Sequence, residues 1–410
     1  MCRCIWDCVS PIICVFESPP RVRSGMMTPE PLALYIHWPF CLSRCPYCDF
    51  NAHVREVIPQ RRFRAALRRE LAWEAERLGP RPLTSIFFGG GTPSLMEPET
   101  VAVLLEDARR LFTAPDDIEI TLEANPTSIE TARLAALRDA GVNRISIGIQ
   151  SLDPAALAML GRRHSAEQAI AALEIARRLF PRISFDLIYA RPGQTIPAWR
   201  DELRRALTLA ADHLSLYQLT IEPGTAFEGA HRRGELVLPD DDLSAALYEA
   251  THEEAARFGL LPYEISNYAR PGAESRHNSQ YWRYGDYAGI GPGAHGRLTL
   301  NNRLVATRRH RAPEPWADRV ERLGHGVTEE TPLSAEEKRR EMLLMGLRLK
   351  EGVSAARFLA RTGTTLESAL DAEALRHAAD ESYVTWDGER LTATGEGRLR
   401  LDALLPYLLL

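Results

Sequence analysis

Between residues 32 and 221, short apolar stretches alternate with amphipathic ones six times, which restricts the fold more than any other feature of this 410-residue chain. The apolar stretches are LALYIHW (32–38), TSIFFGG (84–90), IEITLEAN (118–125), NRISIGIQ (143–150), ISFDLIYA (183–190) and HLSLYQLTI (213–221). Each has the length of a strand and the dense apolar content of one buried on both faces. Stretches such as RRFRAALRRELAWEAERL and AEQAIAALEIARRLF lie between them, with apolar residues every three or four positions. Thr127 with Glu130, and Ser165 with Gln168, have the spacing of helix-capping boxes. Successive βα units predict a parallel α/β sheet with right-handed crossovers. Six units are too few for a closed eight-stranded barrel, so Rossmann-like and partial-barrel windings both fit.

The pattern changes after about residue 300. TRRHRAPEPW reads as a polar, proline-bearing connector. Ser334 and Glu337 then cap a helix, SAARFLARTG follows as a second, and YVTWDGERLTAT reads as a hairpin turning at Asp387–Gly388. The expected domains are an α/β domain over 31–300 and a smaller helical, winged-helix-like domain over 301–410. The C-terminal domain has no densely basic recognition helix, so packing and substrate cover are expected of it rather than DNA binding. RRFRAALRRE (61–70) reads as a solvated helix face. Fifty basic against fifty-five acidic side chains leave a net charge of -5, with no general pull toward nucleic acid or anionic lipid. No apolar run nears the ~18 residues of a membrane-spanning helix, so any membrane contact is expected to be peripheral.

Cysteine use is uneven. Cys2, Cys4, Cys8 and Cys14 fall in a stretch, 1–30, that reads as a disordered extension. Cys41, Cys45 and Cys48 form C-x3-C-x2-C, and the chain has none beyond them. That distribution suits a reducing, cytoplasmic setting better than a disulfide framework. Thiolates are soft ligands, and three on one loop suit three irons of a cubane cluster, leaving the fourth open to a small chelator. Structural zinc is the alternative and needs a fourth ligand, for which His37 or His53 are the nearby candidates. GGGTPS (89–94) ends the second strand and lets backbone approach a ligand closely. Glu123, Gln150 and Asp186 stand near other strand ends, at one mouth of a barrel.

CLSRCPYCDF, with Tyr47 before the last cysteine, resembles the signature of the radical S-adenosylmethionine (SAM) superfamily. The resemblance implies a partial (β/α)6 TIM-like barrel, a [4Fe–4S] cluster on the three cysteines, and SAM chelated at the open iron. It also implies that an electron from the cluster cleaves SAM to a deoxyadenosyl radical, and hence an electron donor. Over nearly all of 32–400 the chain is similar to the oxygen-independent coproporphyrinogen III oxidase group of porphyrin metabolism. The stretches that match are YIHWPFC, GGGTPS, IEITLEANP, ISIGIQS, LGRRH, FDLIYARPGQT and LYQLTIEPGT. By position, the resemblance assigns SAM contacts to Tyr35, Tyr47, Gly90, Gly91, Thr92, Glu123, Gln150, Arg162, Asp186 and Thr220.

Two departures separate the chain from true oxidases. Phe50 stands where the oxidase motif has a further cysteine, and HNSQYW occupies 277–282. Both resemble a sister family, the HemW-type haem chaperones, which bind cluster, SAM and haem for delivery to respiratory apoproteins. That resemblance marks His277 as a haem contact. GIGPGAHG (289–296) reads as a glycine-rich turn, and His295 within it is a second candidate ligand by residue type alone. The resemblance names no catalytic residue, and a homodimer is compatible with it. The competing reading is a coproporphyrinogen oxidase acting on propionate side chains; a more distant one is a metal-binding scaffold without redox chemistry.

Overall fold

The computed structural model describes residues 30–409, so the N-terminal extension and its four cysteines lie outside the described residues. The expected units appear as β1 (Leu32–Trp38), β2 (Leu83–Gly90), β3 (Glu119–Ala124), β4 (Arg144–Gln150), β5 (Arg182–Tyr189) and β6 (His213–Gln218). Each pairs in parallel with the next, with helices between. This is the partial (β/α)6 barrel. Ile36, Phe88, Leu122, Ile147 and Leu187 are buried in its core.

Six further strands widen the sheet: β7 (Leu261–Pro262), β8 (Asn267–Ala269), β9 (Asp286–Ile290), β10 (His295–Leu300), β11 (Arg303–Arg309) and β12 (Val327–Pro332). The order is β12-β11-β10-β9-β1-β2-β3-β4-β5-β6-β8-β7. The boundary expected at 300 therefore falls inside the sheet, and the supposed connector is the end of β11 followed by the helix Pro313–Leu323. Arg309 made this segment look solvated, yet it is buried and pairs with Glu74 on the helix Gln60–Leu78. The same helix presents Glu70, whose carboxylate accepts from the N–H groups of Gly291 (2.8 Å) and Gly326 (2.7 Å) and from the Trp316 indole (3.1 Å). Buried acids are tolerable when satisfied in this way.

Residues beyond 333 form a second core around Leu347, Phe358, Leu391 and Leu405. The expected hairpin is present: Val384–Trp386 pairs antiparallel with Arg390–Ala393, and Gly388 takes the left-handed turn conformation. The Ser334–Glu337 and Ser165–Gln168 capping boxes form as expected. At Thr127 the pattern differs. The Glu130 carboxylate is drawn inward to the Ser94 hydroxyl and the Asn125 N–H (2.9 Å) instead of capping reciprocally. Arg361 of the C-terminal part bonds Asp286 on β9 at 2.9 Å, tying the two cores together. Among the described residues no helix is long and apolar enough to cross a membrane.

Candidate cluster and nucleotide site

The cysteine loop leaves β1 through an aromatic anchor. Phe40, next to Cys41, meets Trp38 and Phe63 edge-on at 5.2 and 4.8 Å between ring centroids. Phe40–Cys41 then pairs in parallel with His53–Val54, which closes the loop at its base. Asn51 pins the loop's far side, donating to the carbonyls of Pro292 and Arg311, both at 2.9 Å. The expected glycine-rich turn at 289–296 is what makes this contact fit. Gly293 has φ +80°, and a Cβ there would lie 2.3 Å from the Asn51 amide nitrogen.

Two of the three sulfurs accept hydrogen bonds from barrel residues. The Thr92 hydroxyl donates to Cys41 Sγ at 3.2 Å, and the Arg162 guanidinium donates to Cys45 Sγ at 3.4 Å. Asn125 joins these two donors: its Nδ2 donates to Thr92 at 3.2 Å and its Oδ1 accepts from Arg162 at 2.7 Å. Arg162 also donates to the Gly148 carbonyl at 2.5 Å. Burial pushes the Cys41 thiol up to about 11, the Thr92 bond and the neighbouring sulfurs being secondary influences. An unpaired thiolate is thus costly here, and metal ligation would remove that cost. Among the described residues no three His, Cys, Asp or Glu side chains converge on one point as around a single ion. The thiolates of a cubane bind separate irons and need not converge. His37 is not placed as a fourth ligand, because its ring nitrogens meet the Tyr35 hydroxyl and the Asn51 carbonyl, each at 3.0 Å.

The glycine strand end lies against this loop. A Cβ on Gly90 would fall 2.6 Å from the His37 ring, and one on Gly91 would fall 2.8 Å from the Phe40 carbonyl. The Gly90 N–H donates to Glu123 at 3.2 Å. Glu123 is held up to about 8, first by burial and then by Asp186, which burial itself raises to about 6. Two buried acids side by side form a receptor for a cationic group. The Tyr47 hydroxyl is pushed up by burial and its ring is tilted against Phe227. Gln150 sits at a strand irregularity with φ +72°, its amide close over Gly148.

Tyr35, Gly90 and Glu123 line a cavity of about 950 Å³ together with His295, Arg308, His310 and Arg311. Thr220 is exposed, and its hydroxyl donates to Glu222 at 2.9 Å, so it is set apart from the other expected contacts. His277 also departs from expectation. Its side chain is buried, Nδ1 meets the Ser85 hydroxyl and Nε2 the Tyr281 hydroxyl, both at 2.8 Å, and its ring stacks on Phe87 at 4.7 Å. Burial lowers its pKa to about 3. A direct haem contact at His277 does not match this placement, because neither ring nitrogen is free for iron. Glu119 fixes it there, accepting from the N–H groups of Arg276 (3.2 Å) and His277 (3.1 Å) at the helix start. Sequence reasoning missed Asn51, Asn125 and Glu119. Asn125 alone carried a signal, as the polar residue next to Glu123 in EANP.

A partial (β/α)6 barrel with three cysteines on the loop after its first strand defines a radical SAM protein, and the superfamily model matches residues 35–206. A model of the HemN C-terminal domain matches residues 333–400. The Escherichia coli coproporphyrinogen III oxidase HemN shares the fold, with TM-score 0.77 and 23% identity over 93% of this chain and 90% of that one. The heme chaperone HemW of E. coli is 37% identical over 94% of this chain and its own full length, and that of Haemophilus influenzae 38% over 92% and 98%. A bovine relative, radical S-adenosyl methionine domain-containing protein 1, mitochondrial, is 42% identical over 95% of this chain and 91% of its own length. The chain belongs to the HemW family.

Proposed function

We propose that this protein is a haem carrier that binds a [4Fe–4S] cluster, SAM and haem and passes haem to respiratory apoproteins. The observation that carries the reading is the cysteine loop. It offers three sulfurs, two already accepting hydrogen bonds, and its position 50 is an exposed Phe at the cavity wall. Cys41, Cys45 and Cys48 would hold the cluster, which when bound supplies an electron to SAM. Tyr35, Gly90, Gly91, Glu123, Gln150 and Asp186 would hold the nucleotide, the two acids facing its amino or sulfonium charge. Thr92 and Arg162 would orient two of the sulfurs, and the Arg162 cation would offset part of the charge at Cys45.

The bacterial relatives named heme chaperone support haem as cargo. A reducing compartment suits three free thiols; the cytoplasm is proposed, and relatives whose names include the word mitochondrial extend the same family to an organelle. An electron donor is required for any cleavage of SAM. The domains are proposed as a barrel with its sheet extension to 332 and a C-terminal domain from 333.

The deciding experiment pairs haem titration with anaerobic coproporphyrinogen III turnover on the reconstituted protein. Haem binding without decarboxylation is expected. Efficient formation of protoporphyrinogen IX would overturn the carrier reading in favour of an oxidase.

A further inference from the structure

Resting on the haem-carrying reading above, we propose that the basic part of the large cavity's lining receives the carboxylates of an iron porphyrin on Arg308 and Arg311, and that His295 meets its iron. The cavity lining combines two chemically distinct groups. Tyr35, Gly90 and Glu123 are one, already assigned to the nucleotide; the basic residues on and just after β10 and β11 are the other. From 308 to 311 the chain reads Arg-Arg-His-Arg. Strand alternation divides these residues. Arg309 borders the cavity but is buried and pairs with Glu74, whereas Arg308, and Arg311 beyond the strand end, are exposed on the cavity lining.

Both outward guanidinium groups are available. Arg308 has only a long contact of 3.6 Å with Glu329, and Arg311 has no ion pair among the described residues. Planar guanidinium groups take carboxylates in two-pronged geometry, which a porphyrin's side chains provide. The His310 Nδ1 accepts from the Ala312 N–H at 3.2 Å, which places the ring proton on Nε2 and makes this histidine a donor rather than a metal ligand.

His295 differs from His277 on every point that matters for ligation. It is exposed, lines the cavity, and its ring has no hydrogen-bond partner among the described residues. It lies directly opposite Arg308 in the antiparallel ladder, so an iron on the imidazole and a carboxylate on the guanidinium belong to neighbouring side chains. Exposed Phe50 and the rings of Tyr281 and Tyr287, the latter two edge to face at 4.3 Å, add aromatic surface to the same lining. Asp49 and Glu329 also face the cavity, and Glu329 must release Arg308 when a ligand carboxylate arrives.

The test is ferric haem titration of the full chain, followed by its Soret band, for wild type, His295→Ala, His295→Met, Arg308→Gln/Arg311→Gln and His277→Phe. His295→Ala should lose the wild-type band position and bind about tenfold more weakly, while His295→Met should move the band. The double glutamine variant should lose about tenfold with haem and nothing with its dimethyl ester, which lacks free carboxylates. A wild-type band that survives His295→Ala, or equal loss with haem and ester, overturns the assignment and leaves the carrier reading standing. Wild type that binds no haem overturns both.

Discussion

Arg162, on the loop after β4 and its following helix, donates to the sulfur of Cys45, 117 residues earlier in the chain. Through Asn125 and Thr92 the same network reaches Cys41, so two cysteine sulfurs are set by one chain of side-chain bonds that crosses three strand ends. The donors to the cysteine sulfurs are therefore a property of the assembled barrel, not of the cysteine loop alone.

Replacing Arg162 with Met removes a cation beside Cys45 and leaves the Asn125 and Gly148 oxygens short of a donor. The expected result is a cluster with a more negative reduction potential that bleaches faster in air, with Arg162→Lys in between. Anaerobic potentiometry and visible absorbance would measure both. Iron content in Cys45→Ser should drop to background.

Arg309→Met should cost about 3–5 kcal/mol, because Glu74 and Glu70 lose a buried counter-charge. Glu74→Met in the same chain should recover part of the loss. Urea denaturation of the three proteins reads the difference, and a loss near zero would contradict the burial seen for this pair.

Asn51→Ala deletes both bonds that hold the cysteine loop to the β9–β11 side, a loss of about 1–3 kcal/mol. Faster proteolysis between residues 41 and 55 should accompany it. Gly293→Ala should produce the same phenotype from the other partner, through a clash and an unfavourable φ.

Glu123 gives a pH dependence with a definite sign. Its carboxyl is near 4.5 when unfolded and about 8 in the fold, so the native chain holds the extra proton between those values. Its contribution to stability is complete below about 4.5 and is lost as pH rises through about 8. Glu123→Gln removes the ionisation. The variant's melting temperature minus that of wild type should therefore increase from pH 5 to about pH 8 and level off above it, without cluster or SAM present. A flat difference would mean that the carboxyl is not held protonated.

The six βα units were legible because strands buried on both faces and amphipathic helices carry their periodicity in local sequence. The Ser165 and Ser334 caps and the Asp387–Gly388 hairpin are equally local. The continuation of the sheet past 300 was hidden by Arg309, whose burial depends on acids 235 and 239 residues earlier. The inward placement of His277 was hidden for a similar reason: Ser85, Phe87 and Glu119 decide it, and none is near it in the chain. Within the site, the thiols and glycines announce themselves by spacing, whereas Asn51 and Asn125 act through contacts that only the folded barrel creates.

The Asn51 tether also has a consequence in time. Its two acceptors follow it by 241 and 260 residues, so the ribosome makes the thiol loop long before this tether can form. At typical elongation rates that interval is roughly ten to fifty seconds. For that period the thiol loop lacks the bonds that join it to the β9–β11 side, so its full fastening belongs to the finished polypeptide.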